Sequence, residues 1–276
     1  MTKQLSYILL IFALTISTVH SQDEQTAISA KDTSYTSIAN TTILNMLKKG
    51  KAPRVTLQLS FNYNIGHLDL AGNENTLFRK DEFVSGGNFG TRYGYGASLT
   101  GKIALHKEGN VRLNVSAAFN RMQSNFVISE TPEGKVHYNV LQGSLGIENS
   151  FTPDKKFKPY IGLDLLTSLI NGEAVLGTDS TDFTVKIKNS VRFGLSVNFG
   201  FEYAFNNNVG LNLGYKLTHA NIIGKDSKAS TNPAETTLND DKVTGTDEIL
   251  YGGWKQFTYS TFYTGINFYF GMKNKK

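Results

Sequence analysis

The stretch VRFGLSVNFGFEYAF, Val191–Phe205, decides the architecture. Its odd positions, Val191, Phe193, Leu195, Val197, Phe199, Phe201, Tyr203 and Phe205, are all apolar. Between them stand Arg192, Gly194, Ser196, Asn198, Gly200, Glu202 and Ala204. Successive side chains of an extended strand point to opposite faces, so a period of two sorts this segment into one apolar and one polar side. A globular strand usually has about 5–6 residues. This one is long enough to cross a bilayer at a tilt, for which roughly 9–11 residues suffice.

Seven further segments share the pattern. Val55, Leu57, Leu59, Phe61 and Tyr63 alternate with Thr56, Gln58, Ser60, Asn62 and Asn64. Tyr93–Leu105, Val111–Phe119, Leu141–Phe151, Ile161–Leu169, Val209–Leu217 and Phe262–Phe270 follow in the same manner. The connections alternate in length. His106–Asn110, Thr152–Lys158 and Asn206–Asn208 are short and built from turn formers. The long ones are about Ile65–Thr91, Met122–Val136, Asn171–Asn189 and Ala220–Lys255. Every second connection is short, so all short turns gather at one end of an all-β, eight-stranded, antiparallel up-and-down arrangement.

Composition narrows the class. The chain has 276 residues, 39% hydrophobic and 18% charged, with 26 Gly and no Cys. That is ample for a core without staples, and thiolate metal sites, thiol catalysis and disulfides are excluded. A mean hydropathy of -0.25 argues against a bundle of transmembrane helices. A net charge of +5 is too mild and scattered to indicate a nucleic-acid partner.

The one long apolar run, Tyr7–Ile16, follows Lys3 and precedes the small residues near Ser21. It is too short for the roughly 20 apolar residues of a spanning helix and fits an export signal over 1–21, cleaved after Ser21. Residues 22–53 read as a polar leader, with one short helical turn around Ile43–Leu47. The expected domain organisation is completed by a barrel over 54–270 and a basic tail over 271–276.

Alternation alone does not say which face is inside. A soluble lipocalin-like barrel turns its apolar face inward around a ligand; a membrane barrel turns it outward to lipid and fills its lumen with small, polar and charged groups. Aromatic side chains decide for lipid. Phe61, Tyr63, Tyr93, Tyr95, Phe119 and Tyr215 lie toward the long loops, while Phe151, Tyr203, Phe205, Phe268 and Phe270 lie toward the short turns. Two such belts suit the two membrane interfaces. Lys102, Arg112, Glu148, Asp164, Arg192, Glu202 and Lys216 fall on the polar face and belong in the lumen.

Two short motifs carry a resemblance. Phe157-Lys-Pro-Tyr-Ile-Gly162 is similar to the Pro-Tyr-x-Gly that opens a strand after a short turn, and Tyr263-Thr-Gly265-Ile-Asn-Phe268-Tyr-Phe270 resembles a closing-strand assembly signal. Both resemble the small eight-stranded, OmpA-like outer-membrane β-barrels of Gram-negative bacteria. The likeness covers about Val55–Phe270 in pattern, and departs from the family in a tail after Phe270 and a leader before the first strand. It implies an outer-membrane location, insertion by the barrel-assembly machinery through Tyr263, Gly265, Phe268 and Phe270, and contact with outer-membrane lipids and lipopolysaccharide.

Eight strands leave an interior that side chains can fill, so a nutrient pore is not expected. Lys102, Arg112, Glu148, Asp164 and Glu202 all lie in the half nearer the short turns, and opposite charges at similar depth should pair into a lumenal ionic layer. No catalytic constellation emerges. His67 and Asp179-Ser180 share only a long-loop end, and His106, His137 and His219 have no acid or Ser at a specific spacing. Asp240-Asp241 with Asp247-Glu248 form at most a weak cation site and more simply keep the longest loop solvated. Gly90–Gly96 runs into a strand and is no phosphate loop. Arg79, Lys80 and Arg92 are candidates for lipopolysaccharide phosphates. The expected function is a non-enzymatic, monomeric envelope protein without cofactor, metal or nucleic acid, whose long loops bind a ligand or adhere. A lipid-modifying enzyme and a soluble ligand-binding barrel are the alternatives.

Overall fold

The computed structural model describes residues 52–71, 87–128, 131–176, 183–226, 235–244 and 250–271. The expected signal, almost all of the leader and the end of the tail lie outside the described residues, as do Arg79, Lys80, Asp179, Ser180, Asp247 and Glu248. Seven long strands follow one another: β1 (Val55–His67), β2 (Tyr93–Ala104), β3 (Val111–Ile128), β4 (Thr131–Ser150), β5 (Phe157–Leu176), β6 (Phe183–Ala204) and β7 (Val209–Ile223). Short strands β8 (Glu235–Thr236), β9 (Asp241–Thr244) and β10 (Leu250–Trp254) lie in the last connection before β11 (Thr258–Phe270).

Each long strand pairs antiparallel with its chain neighbour, β1 pairs with β11, and β11 pairs with β7, so the eight-stranded sheet closes on itself. Closure leaves no spanning edge unpaired, which is what allows a sheet to sit in hydrocarbon. The alternating faces have the outward sense. Leu59, Phe61, Leu145, Ile147, Leu163 and Leu165 are exposed on the outer wall, while Thr56, Gln58, Asn62, Asn114, Asn198 and Asn212 are buried inside.

The short turns stand where expected, but two of the four long connections do not. β3 runs on to Ile128 and β4 begins at Thr131; β5 reaches Leu176 and β6 starts at Phe183. Met122–Val136 and Asn171–Asn189 are therefore mostly hairpin, not loop. The reason is a change in the sense of alternation. Above Leu141 the inward positions of β4 become apolar, with Val140, Tyr138 and Val136 buried. The outward positions Asn139 and His137 are polar, and Lys135 is exposed. Leu166, Ile170 and Ala174 of β5 and Ile187 of β6 continue this inner apolar surface.

The first and last connections fold back over that surface. The 3-10 turn Leu68–Leu70 and the segment around Phe89 enter from one side, and Leu238 and Phe257 from the other. Leu70, Phe89, Leu238 and Phe257 join Met122, Val136, Tyr138, Ile170 and Tyr259 in one buried apolar cluster. Phe257 stands 5.3 Å from Phe89 and 5.6 Å from Tyr138 between ring centroids, in the tilted and edge-on arrangements that aromatic rings favour.

Candidate functional site: a lumen closed at two levels

At the short-turn end, Lys102 (β2), Arg112 (β3), Glu148 (β4) and Glu202 (β6) converge, each at most 2% exposed. Lys102 Nζ lies 3.1 Å from Glu148 Oε2 and 2.9 Å from Glu202 Oε1. Arg112 Nη2 reaches Glu202 Oε1 at 2.9 Å and also bonds Glu148 Oε1. Arg112 and Glu148 are direct cross-strand partners. The contacts to Glu202 are of another kind, because β2 and β6 are four strands apart in both directions around the barrel. The ionic layer thus spans the lumen at its full width and ties opposite walls together.

Tyrosines complete the layer. The Tyr160 hydroxyl is 2.7 Å from that of Tyr263 and donates to Asn212 Oδ1 at 3.0 Å. Lys102 Nζ sits 4.2 Å from the centroid of the Tyr160 ring. The rings fit because their cross-strand neighbours lack side chains: a Cβ on Gly214 would come 2.4 Å from the Tyr263 ring, and one on Gly200 would come 2.6 Å from the Tyr160 hydroxyl. Asp164 is the fifth charge placed here from the sequence, and it stands apart from the other four. It accepts from Asn198 Nδ2 at 3.0 Å and Ser196 Oγ at 3.3 Å, and faces Lys216 Nζ at 3.4 Å.

Above the ionic layer is a polar cavity of about 50 Å³, bordered by Lys102, Glu148 and Asp164 at one end and by Asn120, Gln142 and Leu166 toward the other. It has room for a few water molecules bridging these groups. The apolar cluster roofs it.

A second ionic clamp holds that roof. Asp240 is fully buried and accepts from Arg192 Nε at 2.9 Å and Nη2 at 2.7 Å. It also accepts from Asn221 Nδ2 at 2.7 Å and from the backbone N–H of Asp226 at 3.0 Å. Arg192 Nη2 donates further to the Leu238 carbonyl at 2.9 Å, and the Phe257 N–H donates to Asn221 Oδ1 at 2.7 Å. Asp240 therefore does not solvate its loop, as its acidic neighbourhood implied; it anchors the loop. A carboxylate with four donor groups aimed at it is stable in a buried place, and no local pattern marks it. Nearby, Lys242 Nζ meets Asp69 Oδ1 at 2.5 Å, and the Lys255 ammonium lies 4.8 Å from the Phe89 ring centroid. Burial pushes the Lys255 ammonium pKa down to about 8, against the opposing pull of Asp240 and Asp69.

Of the histidines, His67 has a partner the sequence did not indicate. Its Nε2 is 2.5 Å from Ser260 Oγ, which also bonds the Tyr215 hydroxyl. Ser260 is 1% exposed beneath these two side chains, so no substrate reaches its hydroxyl. Among the described residues no three His, Cys, Asp or Glu side chains are grouped to hold a metal ion. On β11 the four residues singled out for assembly divide by face. Tyr263 points into the lumen, Phe268 and Phe270 stand exposed on the outer wall, and Gly265 lies opposite Ser60 of β1.

A closed antiparallel barrel with an apolar exterior and a charged, filled interior is a membrane-spanning barrel. The family profile described as "Outer membrane protein beta-barrel domain" matches residues 51–270, and the chain belongs to that family. Its place is accordingly the outer membrane, where short turns face the periplasm and longer loops face outward. Among solved structures the chain is similar to Neisserial surface protein A, with 16% identity, coverage of 79% of this chain and 99% of that one, and a TM-score of 0.44. It is also similar to OprG from Pseudomonas aeruginosa, at 13% identity, 80% and 98% coverage and a TM-score of 0.44. For Ail, the attachment invasion locus protein of Yersinia pestis, the values are 9%, 81%, 100% and 0.40. No curated protein matches the chain by sequence.

Proposed function

We propose that this protein is a non-enzymatic, monomeric component of a Gram-negative outer membrane whose working surface is its extracellular rim. One observation carries the reading: the lumen is obstructed twice, by the Lys102–Arg112–Glu148–Glu202 layer and by the apolar cluster clamped through Arg192 and Asp240. A barrel that conducts nothing is left with its rim for contact with a ligand, lipopolysaccharide or another surface, and adhesion is the role this geometry suits. Export by residues 1–21, cut after Ser21, and insertion by the barrel-assembly machinery through Tyr263, Gly265, Phe268 and Phe270 belong to the same reading. The buried hydroxyl of Ser260 is what speaks against a lipid-modifying enzyme.

The test has two arms. Purified protein in planar bilayers should give no stable current steps, and cells displaying it should lose surface attachment when residues 177–182 are cut to a two-residue turn. Regular open-channel currents from the intact protein, or attachment indifferent to that and every other rim variant, would overturn the proposal.

A further inference from the structure

The outer wall of a membrane barrel is ordinarily an even apolar band. Here it has a depression of about 660 Å³ across β4, β5 and β6, extending to the end of β7. Its floor is Gly143 and Thr167, cross-strand neighbours that leave little side chain on the wall. Leu145, Phe193, Ile222 and Ile223 stand around it. The β7 side is raised by an irregularity: Phe193 pairs with Ile223 but Leu195 pairs with His219, so β7 uses four steps where β6 uses two. Gly194 permits this, because a Cβ there would come 2.0 Å from the His219 carbonyl oxygen. The bulge leaves Ile223 66% exposed, a high value even for the lipid-facing wall. A Cβ on Gly143, by contrast, would meet nothing within 4 Å, so the floor is open toward lipid.

What lies above the groove is equally ordered. Past the apolar row Leu141, Leu169 and Val191 comes a ladder of amides. Asn139 Nδ2 donates to Asn171 Oδ1 at 3.1 Å, and Asn171 Nδ2 donates to Asn189 Oδ1 at 2.9 Å. Arg121 of β3 is the cross-strand partner of Asn139 at one end of the ladder. Around it are Lys135, Lys186 and Lys188, against Glu173 and Glu235, of which Glu235 pairs with Lys188 at 2.8 Å. Among the described side chains, Arg121 and these three lysines outnumber the two glutamates and leave a net +2 around the ladder. From Gly143 to Asn139 is four residues along β4, about 13 Å of strand.

We infer that this face binds one lipid of the outer leaflet: an acyl chain lies in the groove over Gly143 and Thr167, and a doubly phosphorylated, glucosamine-type headgroup rests on the asparagine ladder and its cations. The inference rests on the outer-membrane placement and adds to it a defined site. The occupant is lipid A rather than a glycerophospholipid for two reasons. The site lies at the long-loop end of the apolar band, and its net charge complements two phosphates rather than one.

Native mass spectrometry of the folded barrel with purified lipid A tests this. Gly143→Phe fills the groove without touching the barrel interior. Gly101→Phe is the matched control, an outward glycine of β2 whose Cβ would meet only the Val115 carbonyl, at 3.9 Å. Heat-modifiable gel migration verifies that both variants are folded, which separates this inference from the outer-membrane reading itself. The expected result is one lipid A retained by the native protein and by Gly101→Phe, with at least tenfold weaker retention by Gly143→Phe. Arg121→Gln combined with Lys186→Gln should weaken retention of lipid A severalfold while leaving the fold intact. Equal retention by Gly143→Phe and Gly101→Phe, or equal retention of phosphatidylglycerol and lipid A by the native protein, would overturn the assignment.

Discussion

Below the row Leu141–Leu169–Val191 the barrel wall is apolar outside and polar within; above it the same strands are polar outside and apolar within. The backbone does not change. β4 and β5 run through the boundary without a break in pairing, and only the sense of the alternation inverts. Hydrocarbon surrounds the lower half, so its core is the outside and its buried polar groups need partners across the lumen. Water surrounds the upper half, so it folds as an ordinary soluble protein does, around Tyr138, Ile170, Leu238 and Phe257. One sheet thus holds two folding problems, and each half is closed by a buried ion pair suited to its surroundings. In the lower half the pair joins opposite walls; in the upper half it joins wall to loop.

The largest expected effect probes the lower half. Glu202→Gln leaves Lys102 and Arg112 short of their shared acceptor in a buried layer, and should destabilise the folded barrel by about 3–5 kcal/mol in urea titrations in lipid vesicles. A loss below about 1 kcal/mol would mean that lumenal water serves these charges as well as Glu202 does. In the upper half Phe257→Ala removes a side chain that touches both Phe89 and Tyr138. A cost of about 3 kcal/mol is expected, and hydrogen exchange should place it in the loops while leaving β1 and β2 protected. Equal deprotection of both halves would show that they unfold as one unit.

The boundary itself is sharpened by an arginine scan of the outer wall. Leu165 is 64% exposed to lipid, and Leu165→Arg should cost about 2–4 kcal/mol. Asn171→Arg, on the same strand and the same face but above the boundary, loses two amide hydrogen bonds without placing a charge in hydrocarbon, and should cost only about 1 kcal/mol. The smallest effect concerns pH. The Lys255 ammonium has its pKa lowered to about 8 in the folded protein, from an ordinary 10.5, chiefly by burial. The unfolded chain then binds more protons between those two values, so the upper half should gain stability as pH rises from about 8 toward 10.5 and show its full penalty below 8. Protease resistance of the loops, measured across that range, should climb in the native protein and stay level in Lys255→Met.

These contrasts also explain which features could be read from the chain. The spanning strands were legible because a period of two against lipid is nearly strict: Val191–Phe205 and Val55–Asn64 need no partner to declare themselves. The same rule concealed the upper hairpins. Val136, Tyr138 and Val140 alternate as well as any lower segment, but in the opposite phase, so the outward apolar pattern ends at Leu141. Charges showed the same divide. Parity and depth are local properties, and they placed Lys102, Arg112, Glu148 and Glu202 at one level of the lumen. They also placed Asp164 there, although it pairs with Lys216 on another side. The role of Asp240 is not legible in its own segment, because its burial depends on a loop returning over Arg192 from 48 residues away.

Local order along the chain is enough to set eight alternating strands, an apolar face that must leave water, and the side chains that enter the lumen. Those properties depend only on neighbours along one strand and on the bilayer's thickness. The tertiary structure decided which charges meet, where the alternation changes sense, that two loops descend into the mouth as a roof, and that a bulge and two glycines carve a groove in the outer wall. Each of these depends on strand register and closure, and so on residues far apart in the chain. No single segment carries that information, because a strand's register is set by its partners.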